Sequence, residues 1–262
     1  MNAHLHGTAV ITGASSGIGR AVAVELASRG FDVLVTGRDG DKLKALAENL
    51  TTEFGIRAEF FAADLAVPEA RKALIAAIER HDVRLLVNNA GFAVKGEFAE
   101  TELGDELALT EVQIAAALDL TKAVLRQMRP RRSGIILNVG SVYSFSPVPQ
   151  QAVYAACKSF LYSFSASLRS ELQGQGIKVS ILSPGITRTE FRQRAGIADK
   201  PGAGISAEAA AKAGVEGALK GKFLIVPGIQ NKLFVFLTRH LPPSLSAALI
   251  RRINSRRGLG KS

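Results

Sequence analysis

Near its amino terminus the chain reads Thr12-Gly13-Ala14-Ser15-Ser16-Gly17-Ile18-Gly19. This stretch directly follows the apolar run Thr8–Thr12 and opens a segment of helical period. A tight turn from a strand into a helix favours glycine, which tolerates unusual backbone angles and lets the backbone approach a pyrophosphate. The start of the helix then offers free N–H groups and a partial positive charge to that anion. The stretch therefore predicts a dinucleotide-binding unit at the start of the chain.

Short apolar runs alternate with longer segments of helical period along the rest of the chain. The runs are continuously apolar, which is typical of parallel strands covered by helices on both faces. Right-handed crossovers then predict an α/β fold with a Rossmann-type, doubly wound, mostly parallel seven-stranded sheet. The predicted strands are Thr8–Thr12, Asp32–Thr36, Ala58–Ala62, Leu85–Asn88, Gly134–Val139, Lys178–Leu182 and Phe223–Val226. The predicted helices are Ile18–Arg29, Asp41–Glu53, Glu69–His81, Leu107–Met128, Ala152–Leu172 and Ala207–Lys220.

The bulk properties fit one domain. We expect a single dinucleotide-binding catalytic domain over residues 1–262, with a basic helical extension at about 229–262. Cys157 is the only cysteine, which excludes an internal disulfide and favours a reducing compartment. The polar stretch Met1–Gly7 does not resemble a signal peptide, and no apolar run is long enough to span a membrane. We therefore expect a cytoplasmic protein, with membrane association as the alternative.

The residues after the second predicted strand bear on the choice of cofactor. An acidic residue there would bind the ribose 2′-hydroxyl of NAD, but the sequence reads Gly37-Arg38. Arg38 can form charge-assisted bonds to a 2′-phosphate, and Arg20 could assist it. A solvated surface charge is the alternative for Arg38, and the carboxylate of Asp39 could instead meet a 2′-hydroxyl. The pattern favours NADP(H), with NAD(H) as the alternative.

Tyr154 and Lys158 lie four residues apart in a segment of helical period, so they share one face. The pKa of a free tyrosine is about 10, and a nearby ammonium favours the phenolate and lowers that pKa. Ser141, thirteen residues before Tyr154, follows the fifth predicted strand. Open α/β sheets bind ligands at the carboxyl ends of their strands, so Ser141 lies where chemistry is expected. Taken alone, the Tyr154 and Lys158 pair could be accidental.

The pair does not stand alone. The chain contains, in order, the glycine-rich stretch, Asp64, Asn88-Asn89-Ala90-Gly91, Ser141, Tyr154 with Lys158, and Pro184-Gly185. This ordered set resembles the short-chain dehydrogenase/reductase family over residues 7 to 190. The resemblance implies that Tyr154 is the general acid in reduction and the base in oxidation. It implies that Ser141 holds the substrate oxygen, and that Lys158 binds the nicotinamide ribose and lowers the pKa of Tyr154.

The resemblance also assigns residues to the cofactor. Asp64 would lie by the adenine ring, the residues after the fourth strand would shape the groove, and those from Pro184 onward would hold the nicotinamide end. Together with Arg38, the cofactor-binding positions expected are Gly13, Ser15, Ser16, Gly17, Ile18, Gly19, Asp64, Leu65, Asn88, Ala90, Gly91, Tyr154, Lys158, Pro184, Gly185, Ile186, Thr187 and Thr189.

One position departs from the family pattern. The family carries an asparagine in the long helix after the fourth strand, where it supports a water in a proton relay, and Gln113 stands at that position here. Glutamine has the same amide on a longer arm, so it could hold the water in a shifted place, or the relay could be altered. A structural role in the helix is an equal alternative.

These features predict an NADP-dependent enzyme of this family that acts on CH–OH donors. The expected reaction is hydride transfer between NADP(H) and a carbonyl or secondary alcohol, with a small hydrophobic or lipid-like ketone as substrate. A homodimer or homotetramer is expected, and no metal is, because the four histidines show no metal-ligand spacing. The alternatives are a cofactor-sensing protein without chemistry, or a membrane- or partner-binding protein on the same fold.

The carboxyl-terminal part of the chain is unusual. After Glu216 it holds nine Lys or Arg and no Asp or Glu. Leu233–Leu237 is strongly apolar, and Ser244 is predicted to cap a helix in which Leu245, Leu249 and Ile253 share a face. Closure of an apolar pocket or packing on a partner subunit is favoured over peripheral contact with an anionic membrane. Nucleic-acid binding is not expected, since the charge is confined to one tail without a recognised module.

Arg188–Gly204 is predicted to form a lid over the substrate. Its basic residues are expected to be a solvated face, with contact to an anionic substrate as the alternative.

Overall fold

The computed structural model describes residues 7–191 and 204–256. The strands are β1 Thr8–Thr12, β2 Asp32–Gly37, β3 Ala58–Ala62, β4 Val83–Asn88, β5 Gly134–Val139, β6 Ile177–Leu182, β7 Thr187–Arg188, β8 Ile205–Ser206 and β9 Leu224–Ile225. The α-helices are α1 Gly17–Ala27, α2 Gly40–Phe54, α3 Pro68–Ile78, α4 Leu103–Thr110, α5 Ala116–Met128, α6 Ala152–Glu171, α7 Ala207–Leu219, α8 Ile229–His240 and α9 Pro243–Arg256. A π-helical segment, Glu111–Ala115, joins α4 to α5, and a 3₁₀ helix, Val142–Phe145, follows β5.

Seven strands form one parallel sheet in the order β3-β2-β1-β4-β5-β6-β9. The sheet extends in one direction from β1 through β2 to β3 and in the other through β4, so the strand order reverses between β1 and β4. In open α/β sheets, ligands bind in the crevice at the carboxyl ends of the strands at such a reversal. The predicted Rossmann-type fold with seven strands is therefore confirmed.

Both faces of this sheet are covered by helices. Ile11 and Val35 pack on one face with apolar residues of α1, α2 and α7. Val10 and Leu86 pack on the other face with residues of α3, α5 and α6. Successive side chains of a strand point to opposite faces, so a strand covered on both sides buries neighbouring positions and is mostly apolar along its length. This explains why the strands of the central sheet read as continuous apolar runs.

The largest difference from the sequence-based expectation is in the predicted helix Leu107–Met128. The helix begins earlier, at Leu103, and the π-helical segment Glu111–Ala115 interrupts it before α5. A π-helical segment has a wider hydrogen-bonded turn than an α-helix and frequently marks a functional site. The apolar periodicity of the sequence carries no signal for this widening, so the interruption could not be predicted.

Helix α9 begins at Pro243, so Ser244 lies inside its first turn and the predicted cap is wrong. Proline suits the first helical position because the missing N–H has no intrahelical partner there. Leu245 is exposed, whereas Ile250 is buried, so the buried face is rotated from the one expected. Among the helices within residues 7–191 and 204–256, none is long and apolar enough to cross a lipid bilayer.

Candidate active site

The glycine-rich turn lies at the carboxyl end of β1, where the strand order reverses. Gly13 and Gly17 adopt φ angles of 66° and 56°, which non-glycine residues rarely adopt. A Cβ atom added to Gly13 would lie 2.8 Å from the Cα atom of Ala90, so the turn packs directly on the residues after β4. Helix α1 begins without a side-chain cap and without an acidic residue in its first turn. Its free N–H groups fit the diphosphate of a dinucleotide.

Asn89 holds this turn against β4. The Oγ1 atom of Thr12 accepts hydrogen bonds from the backbone nitrogens of Asn89 and Ala90, both at 2.9 Å. The side-chain amide of Asn89 donates to the carbonyl oxygens of Thr12 at 2.8 Å and Gly13 at 3.2 Å. Neither Thr12 nor Asn89 was among the predicted site residues, although both stand within the quoted motifs. Their roles depend on contacts between distant parts of the chain.

The side chain of Asn88 lies beneath the groove. Its amide nitrogen donates to Asn138 at 2.8 Å and to Thr121 at 3.1 Å, which ties β4 to β5 and α5. Its Oδ1 atom is buried without a hydrogen-bond partner among the residues described. The structure thus assigns Asn88 a bracing contact below Ala90 and Gly91, and its role toward the cofactor stays a prediction.

The end of β2 has no carboxylate facing the glycine turn. A Cβ atom on Gly37 would lie 3.5 Å from the hydroxyl oxygen of Ser15, and Arg38 is exposed just beyond it. Asp39 caps α2, where it accepts a hydrogen bond from the backbone nitrogen of Lys42 at 3.1 Å and pairs with its ammonium at 3.4 Å. The carboxylate that competed with Arg38 for the ribose thus has a structural function at a helix terminus.

The turn after β3, where the adenine is expected, is held by a buried arginine. Asp64 is exposed and accepts a hydrogen bond from the backbone nitrogen of Ala66 at 2.9 Å, while Leu65 is buried. The buried guanidinium of Arg71 donates to the carbonyl oxygen of Leu65 at 2.9 Å. It also lies 2.8 Å from carboxylate oxygens of both Glu111 and Asp119. Arg71 thus joins this turn to the π-helical segment and α5, a link that the sequence analysis missed.

Ser141, Tyr154 and Lys158 come together at the carboxyl end of β5. The side chain of Ser141 lies beside the hydroxyl of Tyr154 and favours its phenolate form. The Nζ atom of Lys158 lies 5.6 Å from the centre of the Tyr154 ring and donates to the carbonyl oxygen of Val139 at 2.9 Å. All three side chains are buried. Their hydroxyl, phenol and ammonium groups are therefore gathered in a site with little access to bulk water.

The backbone around Ser141 is fixed by several bonds. Its hydroxyl oxygen accepts from the backbone nitrogen of Tyr143 at 3.1 Å, and the hydroxyl oxygen of Ser144 accepts from the backbone nitrogen of Ser141 at 3.2 Å. The backbone nitrogen of Val142 donates to the carbonyl oxygen of Pro184 at 3.0 Å. These bonds hold Ser141 at the amino-terminal end of the 3₁₀ helix. They also connect this turn to Pro184, where the segment predicted to hold the nicotinamide begins.

Burial dominates the acid–base properties of the site. It raises the pKa of the Tyr154 phenol above its ordinary value, and the hydrogen bond from Ser141 opposes this rise. Burial also lowers the pKa of the Lys158 ammonium to about 8. The lowered tyrosine pKa that the family resemblance implies is therefore absent here, because desolvation of the phenolate outweighs stabilising interactions. Tyr154 is a neutral phenol at neutral pH.

Gln113 lies in the π-helical segment against the loop after β4. Its amide nitrogen donates to the carbonyl oxygen of Phe92 at 2.7 Å, and a Cβ atom on Gly91 would lie 3.2 Å from its Cδ atom. Its Oε1 atom is buried and has no hydrogen-bond partner in the described part of the chain. Within that part, no hydrogen bond joins Gln113 to Ser141, Tyr154 or Lys158. Gln113 braces the groove, and its part in a relay stays a prediction.

The segment from Pro184 to Thr189 passes over the glycine turn. A Cβ atom on Gly17 would lie 3.2 Å from the Cγ2 atom of Thr189, which places Thr189 beside the expected diphosphate site. The hydroxyl of Thr187 donates to the carbonyl oxygen of Gly185 at 3.2 Å. The side chain of Asn231 in α8 lies against Gly185. Arg192, Arg194 and Lys200 of the predicted lid lie outside the described residues.

Apolar side chains surround Tyr154. Its ring centre lies 5.9 Å from that of Phe191, and the ring centre of Tyr143 lies 6.5 Å from that of Phe234. Phe92, Val94 and Val153 belong to the same cluster. Buried Ile250 of α9 packs with Val148 and Ala155, the residue after Tyr154. Helices α8 and α9 therefore pack behind the catalytic segment, and the predicted closure of an apolar pocket by this part of the chain stays a prediction.

Cys157 is buried and free, one residue before Lys158. Within residues 7–191 and 204–256, no group of three or more His, Cys, Asp or Glu side chains could hold a metal ion.

Comparisons with known proteins agree with this geometry. The family profile described as short chain dehydrogenase matches residues 7–200. Serine 3-dehydrogenase of Rhizobium radiobacter is 36% identical over 191 residues, which cover 71% of this chain and 74% of that protein. Sulfoacetaldehyde reductase 2 of Chromohalobacter salexigens is 36% identical over 186 residues, which cover 70% of this chain and 73% of that protein.

Among solved structures, a short-chain dehydrogenase from Sphingobium yanoikuyae in complex with NADPH superposes with a TM-score of 0.81. It is 31% identical, and the superposition covers 96% of this chain and 94% of that chain.

Proposed function

The chain belongs to the short chain dehydrogenase family, and from that premise we propose that it is an NADP(H)-dependent oxidoreductase acting on a carbonyl or secondary alcohol. The observation that carries the proposal is the buried cluster in which the side chain of Ser141 lies beside the hydroxyl of Tyr154, with the ammonium of Lys158 one helical turn away. A hydroxyl, a phenol and an ammonium in this arrangement can hold a carbonyl oxygen and protonate it.

The residues that would hold the cofactor follow the groove from end to end. The N–H groups at the start of α1 would bind the diphosphate with Thr189, Arg38 would bind the 2′-phosphate, and Asp64 with Leu65 would hold the adenine. Ala90, Gly91 and the segment Pro184–Thr187 would contain the nicotinamide half. When bound, the cofactor supplies or accepts the hydride. NADP(H) is favoured over NAD(H) because Asp39 already serves as a helix cap and Arg38 is exposed beside Gly37.

Tyr154 would act as the proton donor in the direction of reduction. Because burial raises its pKa, Tyr154 carries its proton at neutral pH and can release it to a substrate oxygen that is gaining negative charge. The hydroxyl of Ser141 would hold that oxygen, since it lies beside the Tyr154 hydroxyl. The nearby ammonium of Lys158 would stabilise the phenolate that remains.

Lys158 is also placed to replace the lost proton. Its pKa of about 8 is close to neutral, so the ammonium can give up a proton more easily than an ordinary lysine. Gln113 is proposed as a support for a water in this relay, because its buried Oε1 atom is an acceptor that the described residues leave without a partner.

The walls of the site favour a hydrophobic ketone as substrate. Phe191 faces the Tyr154 ring, and Tyr143 with Phe234 extends the apolar wall. We propose a small hydrophobic or lipid-like ketone on these grounds. A homodimer or homotetramer stays a prediction, as does the single catalytic domain over residues 1–262 that the length of the chain indicates.

The test is an NADPH-oxidation screen with the purified full chain across aliphatic ketones, aldehydes, fatty 3-ketoacyl compounds and steroid ketones, repeated with NADH. We expect turnover of an apolar ketone and a preference for NADPH. A protein that binds NADPH in calorimetry but turns over none of these compounds in either direction would support the alternative, a cofactor-sensing protein.

A further inference from the structure

Helix α8 exposes one apolar face. Ile229, Leu233, Phe236 and Leu237 are between 44% and 79% exposed, and their spacing puts them on one side of the helix. We call these four residues the outer face of α8. Single exposed apolar residues are common on protein surfaces, but a contiguous apolar face marks a site of interaction.

Basic side chains accompany the outer face. Lys232 and Arg239 lie along one flank of the helix, and both are exposed. The guanidinium of Arg239 lies 5.6 Å from the ring centre of Phe145, which keeps the charge at the edge of the helix. Arg251 is exposed on the next helix, α9. From residue 217 to the end, the sequence contains no Asp or Glu that could neutralise these charges.

The opposite face of α8 adjoins the active site. Phe234 packs near Tyr143, Asn231 lies against Gly185, and Val235 is buried. The helix is therefore fixed on the catalytic domain by its inner face and cannot turn its outer face inward without losing these contacts. Whatever covers the outer face must come from outside the described part of the chain.

We propose that the outer face of α8 docks on the surface of an anionic lipid bilayer. An apolar face bordered by Lys and Arg, on helices whose sequence contains no acidic residue, is complementary to acyl chains beneath negatively charged headgroups. Helix α8 is not long and apolar enough to span a bilayer, so the contact is peripheral. Docking in this orientation sets the wall formed by Phe234 and Tyr143 close to the membrane.

A second copy of the chain fits the outer face less well. A two-fold contact through this face would bring Lys232 and Arg239 of one chain near the same residues of the other. Like charges facing each other across an interface are unfavourable, and no acidic residue of α8 or α9 compensates them. The charge distribution therefore favours the lipid surface.

The position of α8 has a consequence for the substrate, which rests on the proposed function. Phe234 and Tyr143 line the active-site cleft close to the proposed membrane contact. This position favours apolar ketones dissolved in lipid over ketones dissolved in water. This consequence and the docking itself are measured separately, so the docking is tested even if the enzyme assay shows no turnover.

Docking is tested by flotation of the purified full chain with vesicles. We expect binding to vesicles of equal parts phosphatidylcholine and phosphatidylglycerol, and little binding to phosphatidylcholine alone. The double variant Leu233→Ser with Phe236→Ser should lose about ten-fold or more of this binding, because it removes two side chains that enter the lipid. The matched control is Leu103→Ser with Leu107→Ser, which removes two exposed leucines from α4 and should bind as the unchanged chain does.

The charges are tested in the same way. Lys232→Glu with Arg251→Glu should weaken binding to the anionic vesicles by about ten-fold, and high salt should do the same to the unchanged chain. The control is Lys72→Glu with Lys212→Glu, an equal change of charge at exposed positions away from α8. Absence of vesicle binding by the unchanged chain, or equal binding by all variants, would overturn the proposal. The proposal would also be overturned if the unchanged chain formed dimers but bound no vesicles, and the double variant Leu233→Ser with Phe236→Ser no longer formed dimers. The outer face of α8 would then be a contact between copies of the chain.

The consequence for the substrate is tested by an activity assay, which compares 2-dodecanone carried in these vesicles with water-soluble cyclohexanone. We expect Leu233→Ser with Phe236→Ser to raise the KM for 2-dodecanone about ten-fold and to leave the cyclohexanone rate unchanged. Equal kinetics of this variant and the unchanged chain on 2-dodecanone would overturn the inferred substrate route and leave the docking result standing. Failure to turn over either ketone would count against the proposed function instead.

Discussion

The Nζ atom of Lys158 donates a hydrogen bond to the carbonyl oxygen of Val139 at 2.9 Å. Val139 is the last residue of β5, two positions before Ser141. The bond therefore attaches the helix that carries Tyr154 and Lys158 to the strand end that carries Ser141. It also keeps a buried ammonium beside a phenol whose deprotonated form would be negatively charged.

The activity is expected to fall as pH rises through about 8. Burial lowers the pKa of Lys158 to about 8, so the ammonium that supports the phenolate is lost above that pH. The titration of Tyr154 does not affect the activity in this pH range, because the pKa of Tyr154 is raised. The measurement is kcat/KM for ketone reduction against pH. In Lys158→Arg, whose guanidinium stays charged, the residual activity should show no fall near pH 8. If kcat/KM of Lys158→Arg fell at the same pH, the fall would have to be assigned to a group other than Lys158.

Lys158 is expected to reduce the stability of the fold at neutral pH. Between pH 8 and 10.5 the unfolded chain binds a proton at this residue and the folded chain does not, so the unfolding free energy rises with pH. Lys158→Met should therefore unfold at higher urea at pH 7, with a gain on the order of 1–3 kcal/mol. The gain should shrink to less than about 1 kcal/mol at pH 10. A gain that did not depend on pH would show that packing, and not charge, is responsible.

Tyr154→Phe is expected to remove most turnover and to leave NADPH binding nearly unchanged. The variant keeps the ring near Phe191 and removes only the hydroxyl, which is the proposed proton donor. General acid catalysis typically contributes about 10²- to 10⁴-fold, and the loss in kcat should fall in that range. Tyr162→Phe is the control, since Tyr162 lies on the same helix and packs with Phe145 and Phe223. Equal rates of the two variants would contradict the mechanism.

Arg38→Gln is expected to weaken the binding of NADPH without changing the binding of NADH. A charge-assisted hydrogen bond contributes about 1.5–3 kcal/mol, so the KM for NADPH should rise by about 10- to 100-fold. The control is Arg80→Gln, which removes an exposed arginine after α3. The measurement is the ratio of kcat/KM for the two cofactors. A parallel loss for NADPH and NADH would mean that Arg38 supports the fold and does not read the 2′-phosphate.

Arg71→Met is expected to destabilise the protein and to raise the KM for NADPH. The change removes a buried guanidinium from Glu111 and Asp119 and leaves the carbonyl of Leu65 without its donor. The two carboxylates are about half exposed, so we expect a loss of about 2 kcal/mol, below the range for a fully buried pair. Arg126→Met is the control, because Arg126 is 71% exposed in its pair with Glu79 and should change stability by less than about 1 kcal/mol. Similar urea midpoints for both variants would refute the bracing role.

The elements that local patterns determine could be predicted well from the sequence. β1, β3 and β5 have the predicted bounds. For β1 and β5, a polar residue or glycine on either side of the apolar run leaves little choice. The spacing of Ser141, Tyr154 and Lys158 indicated a shared site because strand ends and helix faces have fixed geometry. The family resemblance supplied their roles, which the sequence patterns alone do not give.

Contacts between distant residues could not be predicted. Three contacts join parts of the chain that no local pattern relates: the hydrogen bond from Asn89 to Thr12, the ion pairs of the buried Arg71, and the contact of Asn231 with Gly185. The direction of the Tyr154 pKa was also missed. A neighbouring lysine is visible in the sequence, whereas the depth of burial that raises the pKa of Tyr154 depends on the packed structure.

The bond between Asn89 and Thr12 joins residues that are 77 positions apart. During synthesis, the glycine turn and its helix emerge from the ribosome long before the residue that secures them to the sheet. A nascent chain that ends before Asn89 therefore carries every glycine of the motif but not a finished nucleotide cradle. Ligand capture must wait until β4 has paired with β1, and free cofactor in the cell can stabilise only chains that have reached that stage of assembly.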